Sequence, residues 1–157
     1  MSFIVQWLYI LTLSLWVGSI FFFSFLTTPT VFATLPREMA SQLISAIFPR
    51  YYTLGYVAGG VLLLTTLLEA ILVKQLPWVR IVLVLLMLGS TLYAGMMVRP
   101  LVHDLKVEMK TVEEGTPRGK DLKAKFDSQH RLSVILNLIV LISGLFLIGI
   151  LAFRLRL

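Results

Sequence analysis

No cysteine occurs in the 157-residue sequence, which rules out disulfides, thiolate metal sites and a thiol nucleophile. Histidine is nearly as scarce. His103 and His130 are the whole supply, and neither falls within the first three apolar runs, so a heme buried between two histidines of those runs has no ligands. Charged residues make up only 14% of the chain, too few to clothe an ordinary soluble domain. There is no HExxH motif, no glycine-rich phosphate loop and no nucleophile paired with a base, so an enzyme is not indicated. The net charge of +6 suits contact with anionic lipid headgroups, and nothing points to nucleic acid.

What is abundant is apolar. Hydrophobic residues make up 58% of the sequence, and the mean hydropathy is +0.91. Four runs, about 3–26, 54–73, 78–98 and 132–153, each approach the roughly 20 residues needed to cross a hydrocarbon core. In lipid, only a helix satisfies every backbone donor and acceptor within one such segment. The first run has no Lys or Arg before it and exceeds a signal-peptide core, so it is expected to be a mature helix. The expectation is an all-α, integral membrane four-helix bundle, one domain over 1–157, with amphipathic helical caps on one face.

An even number of crossings puts both termini and the short turn at Lys74 on a near face, and both long connections on a far face. The far face carries ten of the fourteen Lys and Arg residues; Lys74, Arg80, Arg154 and Arg156 are the other four. By the positive-inside rule the far face is cytoplasmic and the termini are outside. In the first long connection, Met39, Leu43, Ala46 and Ile47 recur at helical spacing, predicting a surface helix over about 36–48 that Pro49 stops. Arg99 and Pro100 interrupt the third run. Beyond them, Leu101, Leu105, Met109 and Val112 form one stripe, and Gly115, Pro117 and Gly119 supply a turn, predicting an extramembrane helical hairpin over about 101–131.

Close packing must hold membrane helices together, and small residues allow it. Gly55 with Gly59, Ser14 with Gly18, and Ser90 with Ala94 all show the required spacing. Phe21, Phe22, Phe23 and Phe25 are left to face lipid or a partner, either another membrane subunit or a second copy of this chain.

The segments WVGSIFFFSFLTTPTVFATLP, FPRYY and FDSQHRLSVILN together resemble a four-helix integral membrane family of unknown function. That family includes a eukaryotic transmembrane protein linked to cisplatin resistance. More distantly, the chain is similar to copper-resistance D-type proteins and to four-helix heme-binding membrane proteins. The resemblance implies the fold and assigns no reaction.

His130, Ser133 and Asn137 stand at i, i+3 and i+7, so they share one side of a helix, and a polar side should avoid lipid. This stripe either bonds neighbouring helices or lines a ligand pocket bordered by Trp16, Tyr51, Tyr52 and His103. Glu69, inside the second run, reads as a shallow ion pair with Lys74 and Arg80 that clamps the turn. Met96 and Met97 precede His103, a weak pattern for copper or another soft metal. No cofactor is expected. The function expected is a non-enzymatic small-ligand or resistance factor, or an accessory subunit of a larger membrane complex. The alternative is a redox protein holding heme, quinone or copper near the two histidines.

Overall fold

The computed structural model describes residues 3–113 and 115–154. Arg156, one of the near-face cations, and Glu114, in the hairpin turn, lie outside the described residues. Four helices build the molecule: α1 Phe3–Thr34, α2 Arg37–Val73, α3 Trp78–Met109 and α4 Pro117–Arg154. Each is long and apolar enough to cross a membrane, and the chain is a multi-pass, all-α membrane bundle. Consecutive helices pack side by side, and α4 returns to close against α1.

Each helix turns one stripe inward. Tyr9, Leu13, Trp16 and Ile20 of α1 meet Leu62 of α2, Val84 and Met87 of α3, and Val140 and Leu147 of α4 in a continuous core. The outward faces keep their large apolar side chains exposed, including Ile71, Val79, Phe146 and Leu145. In water such a surface would aggregate; in a bilayer it is solvated. Close approach is concentrated at glycines. A side chain at Gly55 would meet Thr91 Cγ2 at 2.8 Å and Trp16 Nε1 at 3.3 Å, and one at Gly59 would meet the far edge of the same indole at 3.1 Å. The GxxxG pair therefore seats Trp16 between α1 and α2. Ser90 and Ala94 are buried, as the spacing suggested, whereas Ser14 and Gly18 face outward. The Ser14 spacing is thus not an interface, because the buried stripe of α1 runs through Leu13, Trp16 and Val17 instead.

The far face extends these same helices rather than adding new ones. The surface helix is the first part of α2, which runs unbroken through Pro49. The predicted stop fails for a physical reason. Proline removes one intrahelical bond, costing about 3 kcal/mol, whereas ending the helix at the membrane rim would strand up to four carbonyls. α3 likewise continues past Arg99 and Pro100 and forms one arm of the hairpin; α4 forms the other. Two segments widen into π-helix, Phe22–Thr27 in α1 and Ala94–Val98 in α3. Each lies just before a proline, Pro29 or Pro100, whose missing amide and ring displace the preceding turn.

Polar bonds tie the caps together. Lys106 donates to the Ser41 carbonyl at 3.2 Å and to Ser45 Oγ at 3.0 Å; Lys110 pairs with Glu38 at 3.4 Å and Arg118 with Glu108 at 2.7 Å. Amides of 37–48, 101–109 and 117–131 should therefore be protected from hydrogen exchange in bilayers. Rapid exchange throughout these segments would contradict ordered caps.

Candidate functional site

At the junction of crossing segments and caps, aromatic rings build a wall. Phe23, in the π-helical segment of α1, packs against Phe48 and Tyr51 with ring centroids 5.6 and 5.0 Å apart. Tyr52 follows at 5.4 Å from Tyr51 and stacks on Tyr56. Phe23 is thus half-buried against this wall, unlike Phe21, Phe22 and Phe25, which stay exposed. Gly95, in the second π-helical segment, leaves room for this wall; any side chain there would collide with Tyr52 and Tyr56.

The wall presents hydroxyls to α4. The Tyr51 hydroxyl donates to Asn137 Oδ1 at 2.9 Å, and the Tyr52 hydroxyl faces Ser133. The amide nitrogen of Asn137 keeps two donors beyond this bond. Two cavities adjoin at this corner, and Asn137 borders the larger of them. One, of about 330 Å³, runs between α1 and α4 and is bounded by Phe23, Ser24, Asn137, Leu138 and Leu141. The other, of about 80 Å³, is bounded by Tyr52, Arg99, His103 and Lys106. Phe48, His130 and Ser133 line both, so the two histidines meet across the smaller cavity and His130 stands where the two adjoin. The His130 ring lies parallel to Phe126, 6.1 Å away.

Other residues singled out in the sequence lie elsewhere. Trp16 is 2% exposed in the core, and Ser19 bonds to its carbonyl at 2.7 Å; neither lines these cavities. Met96 and Met97 are exposed on the outer side of α3, away from the His103 cavity, because the π-helical turn gives the inward positions to Ala94, Gly95 and Val98. Among the described residues, no three His, Asp or Glu side chains converge as a metal site would require.

Glu69 and Arg80 pair directly, and both are buried, at 8% and 5% exposure. The expected shallow placement is therefore corrected. The Arg80 guanidinium also sits 4.5 Å above the Tyr9 ring, which adds cation–π attraction. Lys74, expected to share in this pair, instead caps α2 in a left-handed conformation with φ of 53° and is exposed.

Sequence reasoning missed Arg99, Lys106, Ser45 and Phe48 as cavity residues. Arg99 carried a signal, since a cation just before a proline at the membrane rim marks the place where a charged group remains near the bundle. A larger space of about 570 Å³ lies between α1 and α2, lined by Leu15, Leu54, Val57 and Val61 with few polar groups. Three of those four side chains are exposed and none of His130, Ser133 and Asn137 lines it, so it suits surrounding acyl chains.

A family model described as a domain of unknown function, DUF4149, matches residues 11–111. That range holds the tyrosines, Arg99, His103 and Lys106, while His130, Ser133 and Asn137 lie beyond it. An uncharacterized protein of Aquifex aeolicus (strain VF5) is 39% identical over 49 residues, covering 31% of this chain and 37% of that protein. No solved structure matches. With its first three helices matched, apart from the beginning of the first, the chain belongs to the DUF4149 family.

Proposed function

We propose that this is a non-enzymatic membrane protein that holds a small ligand in the far-face corner between α1, α2 and α4. The observation that carries the reading is the Tyr51–Asn137 hydrogen bond at 2.9 Å, whose Asn137 borders the larger of two cavities that share His130 and Ser133. A bond made only for packing has no need of adjoining space. Here the spare donors of Asn137 and the His130 ring border room for another molecule. The larger cavity is mostly apolar, with polar groups at a few points, as a site for a small organic molecule requires.

The excess of cations on the caps favours a cytoplasmic far face and both termini outside. The exposed rings of Phe21, Phe22 and Phe25 offer a surface for a second copy or another membrane subunit. A resistance factor that sequesters a compound and an accessory subunit that holds one at an interface are both uses of such a corner.

Native mass spectrometry of the protein purified in mild detergent tests the reading. A retained adduct of defined mass, released at higher activation energy, is the expected result, together with a visible spectrum free of heme or copper bands. Bare protein under the gentlest conditions contradicts the reading. An intense Soret band turns the assignment to the redox alternative.

A further inference from the structure

The two adjoining cavities differ in chemistry, and that difference specifies a ligand class. The smaller is cationic. Arg99 and Lys106 border it together with His103 and His130, and among the described residues no carboxylate lines it. The nearest acids in sequence, Asp104 and Asp127, are exposed. Lys106 commits two of its three donors to Ser41 and Ser45, leaving one spare. Arg99 has a planar fork of donors suited to a carboxylate or phosphate. At about 80 Å³ the space equals a few water molecules at ~30 Å³ each, enough for one small anionic group and too small for a sugar or a base.

The larger cavity has the opposite character. Its walls include the buried Ile20 and Leu141 and, along its open edge, the exposed Phe25, Val134 and Leu138, and its volume of about 330 Å³ lies at the low end for an organic ligand, roughly 300–1,000 Å³. That suits one short alkyl chain and not the paired chains of a phospholipid. His130, Ser133 and Phe48 form the shared wall, where a ligand would change from polar to apolar.

We infer that the ligand is a single-chain amphiphile with a carboxylate or phosphate head, its head in the Arg99–Lys106–His103 cavity and its chain along α1 and α4. This assignment rests on the proposed ligand-binding function and specifies its chemistry. Arg99 and Lys106 are half-buried and His103 and His130 exposed, and cations gathered at the membrane rim attract a counter-charge, which an anionic head supplies.

The test is calorimetric titration of the protein in phosphatidylcholine nanodiscs, with empty nanodiscs subtracted. Dodecyl phosphate, dodecanoate, dodecanol and inorganic phosphate are the probes. At least one anionic amphiphile should bind saturably, and whichever binds tighter identifies the head. Dodecanol should bind at least about tenfold more weakly, and Arg99→Gln should weaken the anionic probe by a similar factor, since hydrogen bonds to charged groups are worth that much. Inorganic phosphate alone should give no saturable binding at millimolar concentration. If Arg99→Gln does not fold, Lys106→Gln replaces it, and the comparison of head groups on the unmodified protein decides independently. Dodecanol binding as tightly as the anionic probes, and lost in Asn137→Leu, would leave the ligand site standing and overturn the anionic head. Inorganic phosphate binding as tightly as dodecyl phosphate would overturn the chain compartment. If no probe binds, the inference fails, while an adduct in the mass spectrum would still uphold the ligand site itself.

Discussion

Arg80→Leu should destabilise the bundle by about 3–5 kcal/mol, the cost of removing one partner of a buried ion pair. Both partners are less than 10% exposed, so water cannot replace the lost contact without opening the α2–α3 hairpin. Glu69→Leu leaves a guanidinium that cannot discharge, although the Tyr9 ring beneath it returns about 2 kcal/mol or less. Glu69→Gln removes the counter-charge from a buried cation and should cost more than a surface change. The decisive comparison is with the double variant Arg80→Leu with Glu69→Leu, which strands no charge and should be more stable than either single variant. Reversible unfolding in mixed micelles reads all of these. A double variant less stable than both single variants would show that the pair contributes through packing rather than charge.

How much of this molecule is legible in its sequence depends on whether one helix or several decide a feature. The four crossings are visible because each is a property of its own segment: a run of about twenty apolar residues has one solution in lipid. The polar stripe of α4 is visible for the same reason, since His130, Ser133 and Asn137 share a face by spacing alone. Trp16, expected at the site, lies instead beneath Gly55 and Gly59, because spacing cannot say which neighbour an inward residue of α1 will meet. Pro49 reads as a break for a sound local reason, whereas the stripe beyond Pro100 already points to a helix that goes on. Continuity prevails because the caps and neighbouring helices hold the chain on either side, a tertiary effect that a local rule does not contain.

Arg99 escapes sequence reasoning differently. Beside Pro100 it looks like punctuation at a membrane boundary, and only the antiparallel return of α4 brings it to the same cavity as His130. Ser45 and Lys106 stand 61 positions apart and join for the same topological reason. The burial of Glu69 follows suit. On α2 alone it sits one turn from the end of the helix, and it becomes enclosed because Arg80 and Tyr9 close over it from α3 and α1.

Asn137→Leu should abolish ligand retention while leaving the fold intact. Leucine is close to asparagine in size and removes both the acceptor used by Tyr51 and the two amide donors beside the larger cavity. The stability cost should be small, about 0.6 kcal/mol, the average for a hydrogen bond between membrane helices, because the flanking core of Val140, Leu141 and Leu147 is untouched. The ligand cost should be near complete, since the variant removes the polar amide that borders the larger cavity beside the shared wall of His130 and Ser133. Native mass spectrometry and thermal unfolding of the same purified samples measure both quantities together. A ligand-holding corner requires a wild-type protein carrying an adduct and an Asn137→Leu protein of nearly unchanged stability carrying none. Equal adduct occupancy in the two proteins, or occupancy and stability collapsing together, would contradict it.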